Sequence, residues 1–305
     1  MAYSSGGLIQ ATDYNSRVTN VNDIWGTGSG SNGYGQSTTL STVTGGSTTV
    51  SATQWATLIS RLDSMRTHQS GSGSGITQPT AGNVVTYLSS VDTQLASIVT
   101  NKLAANTRGT ATLIGNPQMT SATTWQTTAT KEYYTTVGSS ADTVRYYFNA
   151  GGQIYSYLSL TGGGTTKATD WNTFLTNTVG TITLGSNYCS RSGTGGDNLT
   201  QNTGVGFHSL TTTYQTLFNI GSTSATADYG LNSCLVEAKL GGAIGAASSN
   251  LVYFKFTLTD TAADSFNDTI IGTVNVFSGL TAPEIVNIAN VWGSLTATTV
   301  TNTQS

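Results

Sequence analysis

Residues 142–163 read DTVRYYFNAGGQIYSYLSLTGG and combine five aromatic rings with very few charges. Their β-branched and aromatic residues predict strands over 143–149 and 152–160. The intervening segment 149–152 supplies residues that tolerate the positive φ angles of a tight reversal. We therefore predict a β-hairpin with rings on both faces, one covered by the core and the other by another sheet, helix or subunit. Four rings are consequently candidates for a subunit interface: Tyr146, Phe148, Tyr155 and Tyr157.

The composition favours an ordered, β-rich protein. A chain of 305 residues is long enough for one large or two moderate domains with a real core. Charged residues make up only 8% of it, against a usual fraction of about 25%, and Thr, Ser, Gly and Asn take their place. Disordered chains usually lack aromatic and β-branched residues, which are plentiful here. A surface of hydroxyls and amides is common in proteins that function as packed assemblies.

From residue 107 onward, short β-branched and aromatic runs recur about every ten residues, which is typical of an antiparallel sandwich or barrel. One helix over 167–180, capped near Thr169 or Asp170, interrupts them. We predict an α+β, mainly β fold, with a helical region over 1–106 and a jelly-roll-like antiparallel β-sandwich over 107–305. The predicted strands are 110–114, 130–137, 143–149, 152–160, 180–185, 205–219, 231–240, 250–259 and 270–278.

The helical region begins with two amphipathic patterns. The first helix starts near Thr12 or Asp13 and ends at the glycine-rich segment 26–35. The second starts at Ser51, which forms a capping-box pattern with Gln54. The apolar positions of these two helices are Tyr14, Val18, Val21 and Trp25, then Trp55, Leu58, Ile59, Leu62 and Met65.

A third helix, over 83–103, has apolar residues at alternating spacings of four and three, the 3.5-residue repeat of a helix that supercoils with partners. Two interpretations stay open, because the repeat lasts only about two heptads. The helix is either a self-association seam or an ordinary amphipathic helix docked within its own chain. The seam residues, also candidates for an oligomer interface, are Val84, Leu88, Val91, Leu95 and Ile98, with Val85 and Val99 beside them.

Charge and hydropathy argue against several classes of protein. The formal net charge is −3 and the eleven basic residues are scattered, so we expect no nucleic-acid partner. We expect no signal peptide and no membrane span, because no basic segment precedes an apolar one at the start and no apolar run is long enough. Cys189 and Cys234 have no metal-type spacing, and free thiols or a disulfide are both open.

Catalytic motifs are missing from the sequence. His68 and His208 are isolated, and no G-x-S-x-G motif occurs, so we expect no enzyme and no cofactor. Asp260, Asp264 and Asp268 recur every fourth residue and could hold calcium, but they also suit a loop between two strands. Three further rings would stack on sugars if exposed and would belong to the core if buried: Tyr34, Trp125 and Trp292.

Several segments together resemble the virion structural proteins of tailed bacteriophages, especially phages of cyanobacteria, that are labelled VrlC-like or tail-fibre proteins. The resemblance spans about residues 8 to 278, and FNAGGQI (148–154) is its most distinctive part. The segments are IQATDYNSRVTNVNDIWGTGSGSNGYGQ (9–36), SATQWATLISRLDSMRTHQSG (51–71), TVRYYFNAGGQIYSYLSL (143–160), TTYQTLF (212–218) and LVYFKFTLTDTAAD (251–264).

The resemblance implies a structural role in the virion and carries no catalytic residues. We expect a tail, baseplate or neck-associated fibre protein, made in the host cytoplasm, whose partners are copies of itself in a homotrimer and other virion proteins. A capsid decoration protein and an adhesin that binds host polysaccharide are the alternatives. A glycan depolymerase is a weaker rival, because such enzymes need paired acids and only fourteen carboxylates are spread along the chain.

Overall fold

The computed structural model describes residues 11–45, 50–80, 88–113, 124–222, 232–260, 269–293 and 296–298. Helices lie mainly in the amino-terminal part and antiparallel strands follow, which confirms the α+β, mainly β class. The helices are α1 (Ala11–Trp25), α2 (Ala52–Ser70), α3 (Leu88–Thr100), α4 (Ala141–Asn149) and α5 (Thr166–Thr173). A π-helical turn, Phe174–Val179, continues α5, and short 3₁₀ turns occupy Phe207–Ser209 and Ala247–Asn250.

The strands of the described residues match most of the predicted β-segments. They are β1 (Arg108–Leu113), β2 (Thr124–Trp125), β3 (Thr128–Thr136), β4 (Gln153–Thr161), β5 (Ile182–Leu184), β6 (Cys189–Arg191), β7 (Asp197–Gln201), β8 (Gln215–Gly221), β9 (Ser233–Leu240), β10 (Leu251–Thr259), β11 (Ile270–Ile271), β12 (Thr273–Pro283) and β13 (Thr296–Thr298). The prediction for 205–219 was wrong in its first half, where a 3₁₀ turn and a loop precede β8. The strands β2, β6, β7 and β13 were not predicted.

The chain divides into two compact units. The first, called here the helical unit, takes in the described residues of 1–109, 145–151 and 283–291. The second, called the sheet unit, takes in those of 110–144, 152–282 and 292–305. The predicted boundary at 106/107 lies close to the first crossing, but it assigned the two later segments of the helical unit to the sandwich.

In the helical unit, α1, α2 and α3 contact one another. The predicted apolar faces of α1 and α2 are buried, and the capping box of Ser51 and Gln54 is present. The ring of Tyr14 packs edge-on against Trp55, with centroids 5.3 Å apart. The returning segment 283–291 is fixed to Gln36, whose side chain accepts from the Ala289 amide at 2.9 Å and donates to the Ala289 carbonyl at 3.1 Å.

The predicted hairpin is wrong in its first strand, because residues 141–149 form the helix α4. Its start is fixed by reciprocal capping: Ser140 Oγ accepts from the Thr143 amide at 3.2 Å, and Thr143 Oγ1 accepts from the Ser140 amide at 2.8 Å. Gly151, at φ +94°, ends it as its amide donates to the Phe148 carbonyl. Residues 144–150 are all buried, so neither a helical nor a strand spacing separates buried from exposed positions. The hydrophobic pattern of this segment therefore does not distinguish a helix from a strand.

Within the helical unit, α4 holds the glycine-rich loop 26–35. The guanidinium of Arg145 donates to the carbonyls of Asn32 at 2.5 Å and Thr27 at 2.8 Å. The amide of Asn149 donates to the carbonyls of Asn32 and Gly33, both at 2.9 Å. Backbone oxygens that no helix or strand satisfies are thereby paired with side chains of α4. The polar residues inside this aromatic stretch therefore order a loop more than a hundred positions earlier in the chain.

The sheet unit is an antiparallel sandwich of two large sheets, and it also contains a small sheet in which β11 pairs with β2. One has the strand order β1-β12-β4-β5-β6, and the other β13-β3-β10-β9-β8-β7. Burial alternates residue by residue along β3, β4, β9 and β10, so one face of each sheet is covered and the other is partly exposed. The buried hydroxyls of Thr135 in β3 and Ser278 in β12 lie 3.1 Å apart, which places the covered faces against each other.

Candidate interaction surfaces

The outer face of the five-stranded sheet carries a patch of aromatic rings, called here the aromatic patch and made of Tyr155, Tyr157 and Phe277. The two tyrosines alternate along β4 with buried residues, and all three rings are partly exposed. Tyr157 lies directly opposite Phe277 in the register of β4 and β12. Their rings stack with centroids 4.5 Å apart and planes 9° apart. The patch therefore presents a flat, ordered apolar surface.

Gly279 sets the position of the Tyr155 ring. It lies directly opposite Tyr155 in β12, and a Cβ at this position would overlap the ring. The Tyr155 ring therefore lies directly over the backbone of Gly279, where the strand has no side chain of its own to cover it. Because the ring is already held, a partner that packs on it would lose little side-chain entropy at this position.

No charge lies on the outer face of β4 or β12. The residues that share this face with the aromatic patch are uncharged: Gln153, Ser159, Thr161, Thr273, Asn275 and Thr281. Asn275 and Thr161 are bonded to each other, with 2.9 Å between Nδ2 and Oγ1. A second protein surface can cover this face without burying an unpaired charge.

The outer face of the six-stranded sheet has a different chemistry. In the middle of this sheet, Lys255 of β10 lies in register between Glu132 of β3 and Glu237 of β9. Its ammonium is 2.6 Å from the Glu237 carboxylate. One row along, Tyr253 pairs with Tyr134, their centroids 5.1 Å apart. We call this set, with Lys239 and Tyr214, the charged patch.

Two rings of the charged patch, those of Tyr214 and Tyr253, are already covered by cations. The ammonium of Lys239 lies 4.3 Å from the ring centroid of Tyr214 and 4.9 Å from that of Tyr253. Burial, followed by the nearby Glu132 carboxylate, raises the pKa of Tyr214, so this phenol stays neutral. Charged groups of the charged patch thus pair with one another and with its rings, whereas the outer-face residues beside the aromatic patch on β4 and β12 are uncharged.

The predicted seam of α3 is occupied within the chain. Val91, Leu95 and Ile98 are buried, and α3 contacts α1 and α2. This is the docked-helix interpretation, and these three side chains are not available to other subunits. Leu88 is half-buried. Val84 and Val85 lie outside the described residues.

The other predicted interface residues separate into two groups. Tyr146 and Phe148 belong to α4 and are buried, so they serve the core and not a surface. Tyr155 and Tyr157 keep partly exposed rings on the outer face of β4. Sequence reasoning did not single out Phe277; alternation in VNVFSGL, residues 274–280, was the available signal, but the pairing of β12 with β4 is not encoded locally.

The remaining residues that the sequence suggested as metal, thiol or sugar-binding sites are buried wherever the structure describes them. Asp260 forms a buried ion pair with Lys167, whereas Asp264 and Asp268 lie outside the described residues. Over the described ranges, no three His, Cys, Asp or Glu side chains are grouped as metal ligands would be. Cys189 and Cys234 are buried free thiols. The rings considered for sugar stacking are buried and belong to the core: Tyr34, Trp125 and Trp292.

Comparison with models of known protein families, with curated proteins and with solved structures gives no match to this chain. In the part of the chain that the structure describes, no helix has the length and apolar character needed to span a bilayer.

Proposed function

We propose that this chain is a structural component of a tailed-bacteriophage virion, in the tail, baseplate or neck, and that it assembles with copies of itself. The resemblance of its segments to virion proteins supports the setting. The scarcity of charge supports assembly, because interface cores are depleted of charged residues and enriched in aromatic ones. This role needs contact surfaces and no substrate turnover.

The aromatic patch is the observation that carries the proposal, and we assign a second copy of this chain as its occupant. An uncharged face can meet an identical face without like-charge repulsion. Tyr and Phe are among the residues enriched at such contacts. The charged patch suits a self-contact less well, because its ammonium and carboxylate groups would have to be desolvated.

The size of the face is adequate for an interface. Strands β4 and β12 contain nine and eleven residues, so they extend roughly 30 Å and roughly 36 Å at about 3.3 Å per residue. The other three strands are shorter, with six, three and three residues, so at about 4.8 Å between neighbouring strands the five-stranded face covers on the order of 500 Å². A standard protein–protein interface buries about 800 Å² per partner, so this face could supply most of one contact.

The self-association is tested by the double substitution Tyr157→Lys with Phe277→Lys in the full chain. Two lysines in the middle of the patch would place unpaired charges in the contact, and we expect the mass in solution to fall from that of an oligomer to that of a monomer. Light scattering after size-exclusion chromatography measures it, and circular dichroism checks the fold. The matched control is Tyr134→Lys in the charged patch, which should leave the oligomer intact.

A wild-type chain that is already monomeric, or a double variant that keeps the oligomer mass, would overturn the assignment of the patch to self-association. The setting is tested separately by locating the chain in intact particles by cryo-microscopy. Density on the capsid surface would favour the decoration alternative, and binding on a glycan array would favour the adhesin. Absence of the chain from washed particles would end the virion proposal.

A further inference from the structure

A buried cluster of three polar side chains lies at one end of the central strands in the sheet unit. Asn232 immediately precedes β9 and Asp260 immediately follows β10, and the neighbouring Ser233 and Thr259 are directly opposite in the register. Lys167, in the first turn of α5, completes the cluster. We call these three residues the Lys–Asn–Asp cluster.

The carboxylate of Asp260 contacts both of the other members. Its Oδ2 lies 2.8 Å from Lys167 Nζ. In the amide orientation that satisfies both neighbours, Asn232 Nδ2 donates to Asp260 Oδ1 at 3.0 Å. In the same orientation, Asn232 Oδ1 accepts from Trp171 Nε1 at 3.2 Å. An amine, a carboxylate and an amide with a polarised carbonyl are therefore side by side.

The surroundings of the cluster are apolar. Lys167 and Asp260 are each 6% exposed and Asn232 is 3% exposed. The indole of Trp171 packs edge-on against Trp125, with centroids 4.8 Å apart. An ion pair in such surroundings has lost most of its hydration, so the three polar groups interact with one another and not with bulk water.

The backbone holds the cluster in place. The Asn232 carbonyl accepts from the Ser222 amide at 2.6 Å, and the Asp260 amide donates to the Thr127 carbonyl at 2.9 Å. Thr165 caps α5, its side chain accepting from the Ala168 amide. Reactive groups held in fixed positions need little reorganisation to react.

We propose that Lys167 and Asn232 form an intramolecular isopeptide bond, with Asp260 as the proton relay. The Asp260 carboxylate takes a proton from the Lys167 ammonium, and the neutral Nζ attacks Cγ of Asn232. The indole N–H of Trp171 stabilises the negative oxygen of the tetrahedral intermediate, as an oxyanion-hole donor does. Asp260 transfers protons from Nζ to Nδ2, the Cγ–Nδ2 bond breaks, and the nitrogen leaves as ammonium. One C–N bond replaces another, no oxidant is needed, and Asp260 ends as a carboxylate.

Mass spectrometry of the purified full chain tests the bond. We expect the intact mass to be lower than the sequence mass by one ammonia. Trypsin should leave Lys167 uncut, because its amine is acylated. The fragments 146–191 and 192–239 should then be recovered joined, and fragmentation should place the link between Lys167 and Asn232.

Two conservative variants separate the roles of the residues. Lys167→Arg keeps the positive charge but has no comparable nucleophile, and Asp260→Asn keeps the shape but cannot relay the proton, so both should have their full sequence mass. The control is Lys255→Arg, which changes the more exposed pair with Glu237 and should still lose one ammonia. Circular dichroism of each variant confirms folding.

Three results would overturn the proposal. The first is a wild-type mass equal to the sequence mass after prolonged incubation at neutral pH. The second is loss of water with a link from Lys167 to Asp260. The third is ammonia loss that persists in Lys167→Arg, which would place the reaction elsewhere, for example at the Asn32–Gly33 pair. If a variant fails to fold, the fragment map of the wild-type chain still decides.

Discussion

Two neighbouring segments, α4 and β4, are both rich in aromatic residues, yet they adopt different structures and have different environments. In α4 the rings of Tyr147 and Phe148 are fully buried in the helical unit. In β4 the rings of Tyr155 and Tyr157 alternate with core residues and stay partly exposed. The comparison teaches that aromatic content alone does not identify an interface; the cap before a segment and the glycine after it decide which rings reach the surface.

The largest expected effect is the difference in stability loss between removing a ring from α4 and removing a ring from β4. Phe148→Ala removes a fully buried ring, and we expect it to lower the free energy of unfolding by about 3–5 kcal/mol. Tyr157→Ala removes a partly exposed ring whose main contact in the sheet is Phe277, and we expect a loss of about 1 kcal/mol. Urea denaturation at low protein concentration measures both. Equal losses would show that the two segments do not differ in burial as described.

The next largest expected effect comes from breaking the hydrogen bonds that α4 donates to the loop 26–35. Arg145→Met keeps much of the side-chain volume but leaves the carbonyls of Thr27 and Asn32 without their charged donor. We expect a loss of about 3 kcal/mol and faster hydrogen exchange in the loop. The control Lys255→Met, which removes an ion pair on the outer face of the sheet unit, should cost about 1 kcal/mol or less. Unchanged exchange in residues 26–35 would contradict the role assigned to Arg145.

A smaller effect is expected from Gly279→Ala on the β4 side of the comparison. The added methyl group would displace the Tyr155 ring, at a cost of about 1 kcal/mol. The same substitution in a Tyr155→Ala background should cost almost nothing, so a double-mutant cycle isolates the contact. Gly204→Ala is the matched control, since a Cβ there would meet open space. Additive effects at positions 155 and 279 would show that the ring does not rest on the glycine.

The smallest expected effect is a pH dependence of stability, caused by a histidine near the end of α4. His68 is buried beside the carbonyl of Ala150, which follows α4. Burial lowers the pKa of His68 from its ordinary value of 6.5. The hydrogen bond to the Ala150 carbonyl and the charge of Glu284 act to raise this pKa, whereas the charge of Arg108 lowers it further. The unfolded chain therefore takes up the proton first, and stability should decline as pH falls below about 6.5. Melting temperatures between pH 7.5 and 5.5 should show this decline, and His68→Gln should reduce it.

Sequence reasoning was strongest where the pattern had a clear period. The buried faces of α1 and α2 and the strands β3, β9 and β10 follow from spacing alone. It was wrong at α4, where the tyrosines and phenylalanine are consecutive and give no period, and where the deciding Ser140–Thr143 cap precedes the run. The aromatic patch was half predicted, because Tyr155 and Tyr157 are local while their contacts with Phe277 and Gly279 come from pairing across more than a hundred residues.

The Lys–Asn–Asp cluster could not be predicted for the same reason. Its members lie far apart in the sequence, and each is unremarkable by itself. Among the described residues, Asp260 forms its buried ion pair with Lys167 of α5. Only the register of β9 and β10, with α5 packed at their end, brings the three side chains together.

The division of the helical unit into three separated stretches has a consequence for synthesis on the ribosome. Helices α1 to α3 emerge early, but Arg145 and Asn149 and the segment that binds Gln36 follow much later, the last of them after nearly all of the sheet unit. The loop 26–35 has no side-chain donors from α4 until then. A nascent chain that stalls before residue 291 would expose an unfinished helical unit to chaperones and proteases, even though its first three helices are already translated.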